Sequence, residues 1–225
     1  MTTKFSIVVA TQKDAASAYL PIDQCLDSMK LRPEYQVKTT IYWSNERGLS
    51  EVYNEHLDKN TDADFVLLLH DDLWLNDVLT FDKLAQSKFD LIGICGGNTF
   101  DPNTPRAVQT GICGWWTATT KGSGFIVQRP KKDYYFASTF GLSPAPTATL
   151  DGCFLCLSKN AIQKGLRFDP QFKWHFYDLD LCMQAKKLGL SVGVAPILTT
   201  HQSLGNPHDP EFARSQKVFF NKWQI

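Results

Sequence analysis

Short apolar runs that stop abruptly alternate along this chain with longer stretches whose apolar residues recur at helical spacing. FSIVVA (5–10) breaks into the polar TQKDAAS and predicts a strand, and IDQCLDSMK predicts a helix. VKTTIYWS (37–44) reads as a second strand that ends in Ser44, Asn45 and Glu46. In LSEVYNEHLDK (49–59), Leu49, Val52, Tyr53 and Leu57 mark one face of a helix. FVLLL (65–69) is a third strand, with no polar position to give it a wet face. VLTFDKLAQSKF predicts a helix and DLIGICGG (90–97) a fourth strand.

The second half is patterned differently. NTFDPNTPRAVQTGICGWW is irregular and rich in Gly, Pro and Thr. PTATLDGCFLCLSKN predicts a strand preceded by an Asp151-Gly152 turn, and FDPQFKWHFYDLDLCMQAKKLG runs into a helix with Gly189 as its stop. LSVGVAPILTTH reads as a strand pair, followed by QSLGNPHDPEF and a terminal aromatic segment, FFNKW. There is no repeat, low-complexity stretch or linker. The alternation of strand and helix predicts an open, mainly parallel α/β sheet flanked by helices. It is expected as a single domain over residues 1–225, with a nucleotide-binding half (1–100) and a smaller, mixed second half (101–225). Ligands of such sheets bind outside the carboxyl ends of the strands. Thr11-Gln12, Ser44-Asn45 and His70-Asp71-Asp72 are therefore expected to converge on one crevice.

Charge narrows the partners. Lys plus Arg and Asp plus Glu both number 23, so no net field draws the chain to nucleic acid or to an anionic membrane. An anionic ligand must be held by local groups. The six cysteines lie mostly within apolar segments, which predicts buried free thiols and a reducing, cytoplasmic setting. Cys153 and Cys156 form a CxxC, but on a strand that spacing puts them on opposite faces, against a zinc or redox role. The apolar start is too short for a signal peptide, and no run is long enough to span a bilayer.

Three polar constellations stand where apolar runs end. In His70-Asp71-Asp72, an extended backbone places His70 and Asp72 on one side and Asp71 on the other. A carboxylate there suits a hard cation, Mg²⁺ or Mn²⁺, shared with substrate phosphates; a helix cap or turn explains it equally. In HFYDLDLC (175–182), Asp178 and Asp180 open a helix. One carboxylate satisfies the helix dipole, which leaves the other for general-base chemistry. His201 follows the last strand and is either structural or, with Asp72, part of a mixed O/N metal site. Asp151-Gly152 reads first as a turn. Arg106, Lys121, Lys131 and Lys132 lie near the irregular loops, as solvated surface or phosphate contacts.

In order, these segments resemble the family 2 type of nucleotide-sugar glycosyltransferases, with the GT-A fold. SIVVATQKD resembles the first strand and nucleotide loop, YWSNERGLSEVYNEHL the second strand end and its helix, and LLLHDDLWL the DXD strand end. DGCFLCLSKNAI, LRFDPQF, HFYDLDLCMQAKKLGLSVGVAP and HQS resemble the catalytic half. The resemblance implies a divalent cation held by Asp72 and His201, with His70 in place of the usual first acid. It implies Asp178 as the base of an inverting transfer, with Tyr177 where a second acid often precedes it. Asp151 and Gly152 would line the sugar pocket, and Thr11, Asn45 and Asn54 would surround the nucleoside, near His70 and Asp71. The partners implied are a nucleoside-diphosphate sugar, UDP-sugar favoured, and a carbohydrate acceptor. Trp115 and Trp116 would stack on the acceptor, and the loop 204–210 would close over the donor. Two other readings stay open: a catalytically silent carbohydrate-binding module, and a nucleotidyltransferase, against which ATQKDA offers Lys13 but no glycine.

Overall fold

The computed structural model describes residues 2–16, 20–29, 33–98, 122–202 and 209–224. Arg106, Trp115, Trp116, Lys121 and most of the loop 204–210 lie outside the described residues.

A seven-stranded sheet carries the fold, in the order β2-β1-β3-β10-β5-β11-β9. Its strands are β1 (Thr3–Ala10), β2 (Tyr35–Tyr42), β3 (Phe65–Leu69), β5 (Leu91–Gly93), β9 (Ala145–Pro146), β10 (Phe154–Ser158) and β11 (Val192–Val194). The first three strands pair in parallel and so finish on one edge. β10 enters between β3 and β5 antiparallel to both. Its leading turn therefore lies against the end of β3, and the His70 N–H donates to the Cys153 carbonyl at 3.0 Å.

The two-sided burial read from FVLLL is observed. Val66 and Leu68 join one core cluster and Leu67 and Leu69 the other, one on each face of the sheet. Helices α1 (Pro21–Met29), α2 (Leu49–Lys59), α3 (Thr80–Ala85), α4 (Lys159–Gln163), α5 (Tyr177–Lys187) and α6 (Pro210–Trp223) complete the described fold. α5 ends as expected at Gly189, which adopts φ +65°. Its N–H donates to the Lys186 carbonyl, and that of Leu190 to Ala185, closing the last turn.

A second sheet holds β4 (Leu73–Leu75), β12 (Thr199–His201), β7 (Gly122–Lys131) and β6 (Cys95–Gly97), with β8 (Tyr134–Thr139) paired to β7. Its register places His201 opposite Leu73, beside Asp72. This sheet accounts for several departures from the pattern. DLIGICGG is two strands, because the chain leaves the large sheet at Ile94 and continues in the small one. The helix expected over 78–89 is shortened to six residues, its start fixed by the Asp77 carboxylate, which accepts from the Leu79 N–H at 3.0 Å. The β7–β8 hairpin leaves no strand signal in the sequence, because glycines and Pro130 interrupt its alternation and its register shifts between Gln128 and Lys131. Cys153 and Cys156 belong to the same core cluster, since Cys153 sits in the turn before β10, where strand alternation does not apply. Both are free, buried thiols.

Candidate active site

Parallel strands deliver the polar ends to one place. The Thr11 N–H donates to the Tyr42 carbonyl at 3.0 Å and the Asn45 N–H to the Thr11 carbonyl at 2.8 Å, so the ends of β1 and β2 are stitched together. Asp71 turns toward them: its Oδ2 accepts from the Thr11 hydroxyl at 2.6 Å and lies 3.2 Å from Lys13 Nζ. Asp72 turns the other way, to His201, the two carboxylates parting within the turn that the Leu73 N–H closes on the His70 carbonyl.

His70, Asp72 and His201 each offer one ligating atom, and those three atoms lie within 4.8 Å of one another. Nε2 of His201 stands 3.2 Å from Asp72 Oδ1 but out of line for a hydrogen bond, and it is buried with no other partner. A buried ring nitrogen without a partner is costly unless something else satisfies it. Two imidazoles and one carboxylate are a mixed N/O donor set that can hold a divalent transition metal, and the residues present fit such an ion. Burial pushes the Asp72 carboxyl up, but His201 outweighs it and holds the group below its ordinary range. Burial works against protonation of His201, and Asp72 reverses that, raising its pKa. His70 is lowered, by burial first and by His201 second.

The third group opens α5. Phe176 adopts a left-handed conformation (φ +67°), at a cost of about 1–3 kcal/mol for a bulky residue. Its ring is buried against Phe212 and Phe219 of α6, at centroid distances of 5.1 and 5.4 Å. After this reversal, Tyr177 and Asp178 both reach Gly152. The Asp178 Oδ2 accepts from the Gly152 N–H at 2.9 Å and its Oδ1 from the Leu179 N–H at 2.9 Å. The Tyr177 hydroxyl donates to the Gly152 carbonyl at 3.1 Å and lies 2.7 Å from Nε2 of His70. Gly152 has to be glycine: a Cβ there would stand 2.3 Å from Tyr177 Oη. Burial first, and repulsion from Asp151 second, push the Asp178 carboxyl up to about 7. A carboxylate poised there exchanges a proton readily near neutral pH.

The other residues named from the sequence divide clearly. Asp151 stays at the site, its Oδ1 accepting from the Cys153 N–H at 2.9 Å. The Asn45 amide closes a local turn with both backbone groups of Arg47. Asn54 spends its amide on Phe168, donating to the carbonyl at 2.8 Å and accepting from the N–H at 2.9 Å. Asp180 is fully buried and faces Lys222, Gln184 and Trp223, tying α5 to α6. In the sequence Tyr177 shows only as a position where an acid is usual, not as a contact of His70 and Gly152. Its signal was the glycine at 152, whose partner no local pattern identifies.

The profile of the glycosyltransferase-like family matches residues 7–223. The chain belongs to that family. Among solved structures, this glycosyltransferase-family chain is similar to A197 from STIV, at 13% identity and a TM-score of 0.53, covering 88% of this chain and 85% of that one. It is similar to a mutant Drosophila β1,4-galactosyltransferase 7 in complex with manganese, UDP-Gal and xylobiose. That match has 13% identity and a TM-score of 0.50, over 92% of this chain and 73% of that one. A mannosyltransferase from Pyrobaculum calidifontis, in complex with GDP-Man and Mn²⁺, matches at 10% identity and a TM-score of 0.52. It covers all of this chain, which spans 65% of that one. These likenesses establish the GT-A fold expected from the sequence. No curated protein matches significantly. Among the described residues, no helix is long and apolar enough to cross a membrane.

Proposed function

We propose that this chain transfers a sugar from a nucleoside-diphosphate sugar to an acceptor hydroxyl, with a divalent cation and with inversion at the anomeric carbon. The observation that carries this reading is the meeting of His70, Asp72 and His201 at the end of β3, linked through Tyr177 and Gly152 to Asp178. His70, Asp72 and His201 would hold the cation, and their two imidazoles favour Mn²⁺ over Mg²⁺, which takes oxygen ligands. Bound there, it supplies positive charge that offsets the negative charge of a departing nucleoside diphosphate.

The rest falls to the chain's own groups. Asp178, its two oxygens fixed by the N–H groups of Gly152 and Leu179, takes the proton of the acceptor hydroxyl as that oxygen attacks. Asp151 and Gly152 line the sugar side of the same turn. Thr11, Asn45 and Asp71 form the nucleoside side, where Asp71 is fixed by the Thr11 hydroxyl and Lys13. Asn54 ties α2 to the backbone of Phe168. The relatives solved with UDP-Gal and with GDP-Man support the nucleotide-sugar class. A UDP-sugar is the first donor to try.

The test is donor turnover. UDP- and GDP-sugars are incubated with Mn²⁺ and a panel of saccharide acceptors, and release of nucleoside diphosphate is followed. Metal-dependent release from one donor, abolished by Asp178→Asn, supports the proposal, and the anomeric configuration of the product, read by NMR, decides inversion. Release that survives Asp178→Asn unchanged refutes the base assignment.

A further inference from the structure

Tyr177 has one hydroxyl proton and two partners, and counting that proton fixes the state of His70. The hydroxyl oxygen lies 2.7 Å from His70 Nε2 and 3.1 Å from the carbonyl of buried Gly152. A carbonyl only accepts, so the phenolic proton goes to Gly152 and Nε2 of His70 must be the donor of the shorter bond. The reverse order deprives the Gly152 carbonyl of that bond. It also moves the ring proton to Nδ1 and leaves neither imidazole nitrogen with a free lone pair. Only the order Nε2–H to hydroxyl to carbonyl makes both bonds and keeps Nδ1 able to ligate.

We infer that Tyr177 is a positioning residue that locks His70 as its Nε2–H tautomer, so that His70 meets the cation as a neutral Nδ1 donor. This rests on the metal-site reading above. The same hydroxyl couples two parts of the site. Tyr177 and Asp178 are consecutive, and they hold the two backbone polar atoms of one glycine, Tyr177 the carbonyl and Asp178 the N–H. His70 is tied to the same turn a second time, by its own N–H on the Cys153 carbonyl. The orientation of a proposed cation ligand and that of the proposed base therefore depend on one residue with no side chain.

The tautomer is read directly from long-range ¹H–¹⁵N spectra of the metal-free protein labelled with ¹⁵N-histidine. The His70 ring is assigned by its absence in His70→Gln. The Nε2–H pattern is expected in the wild type, and its loss in Tyr177→Phe. Mn²⁺ affinity, measured by EPR with Mn²⁺ alone and with UDP added, is expected to fall about 10- to 100-fold in Tyr177→Phe. The same substitution is expected to change nothing further in a His70→Gln background. A wild-type His70 protonated on Nδ1 overturns the inference without needing any variant to fold. So does Mn²⁺ affinity that Tyr177→Phe leaves intact. A wild type that binds no Mn²⁺ sinks the metal reading instead, and the spectra, recorded without metal, still decide whether Tyr177 sets the ring.

Discussion

His70 and Tyr177 are 107 residues apart and meet ring nitrogen to hydroxyl at 2.7 Å. They are also the two positions at which the chain departs from the glycosyltransferase pattern it resembles, each standing where an acid is usual. The departures are one feature rather than two. A carboxylate at either position would join Asp72, Asp151 and Asp178 in a largely buried site, where like charges repel strongly. A neutral imidazole bonded to a phenol fills the same space without that cost.

Gly152→Ala tests how tightly this arrangement is packed. The new methyl would stand 2.3 Å from Tyr177 Oη and 2.7 Å from its Cζ, and the ring is buried on all sides. Urea unfolding is expected to show a loss of about 1–3 kcal/mol. Transferase activity should fall with it, because the turn holds Asp178 as well as Tyr177. Unaltered stability would mean that the ring is free to move aside.

Asp178 predicts a pH dependence with a definite sign. Its pKa is raised from 3.8 to about 7, so between those values the folded state holds a proton that the unfolded chain has released. The group's contribution to stability is therefore full below pH 3.8 and lost as pH rises through about 7. Asp178→Asn should flatten that part of the stability profile. In catalysis the ionised form is the useful one, so kcat/KM should rise as pH passes through about 7. In Asp178→Asn, turnover should fall by about 10²–10⁴-fold while nucleotide binding persists.

Asp180 predicts the opposite division of effects. Its fully buried carboxylate faces Lys222 Nζ at 2.7 Å. Lys222→Ala strands that carboxylate, keeping only the Gln184 and Trp223 bonds. A loss of about 3 kcal/mol in chemical unfolding is expected. Metal and nucleotide affinity of the folded protein should not change. Weakened nucleotide binding would place Asp180 in the site after all.

The sequence revealed strand ends well and contacts across the fold poorly. FVLLL, FSIVVA and VKTTIYWS stop sharply at polar residues, and parallel pairing then obliges those ends to share an edge. That logic brings Thr11, Asp71 and Asp72 to one edge; the two aspartates do diverge, but across a turn at 71–72 rather than along the extended chain that alternation assumes. His201 was legible for the same reason, as the polar end of an apolar run. The resemblance puts Asn45 and Asn54 at the nucleoside; their amides also bond backbone groups at Arg47 and Phe168, contacts the sequence does not show. Short amide side chains do this often, and no spacing rule anticipates it. Tyr177 was hidden because its partners, Gly152 and His70, lie 25 and 107 residues away. The small sheet was hidden because its strands are short and interrupted by Gly and Pro.

The central claim is that the end of β3 presents a cation site through which a nucleotide is held. Calorimetric titration of UDP and of GDP, with and without Mn²⁺, into the wild type and Asp72→Ala tests it most directly. The account predicts binding of one nucleotide that requires Mn²⁺ and disappears in Asp72→Ala. Binding indifferent to both the metal and Asp72, or no binding of either nucleotide, would contradict it.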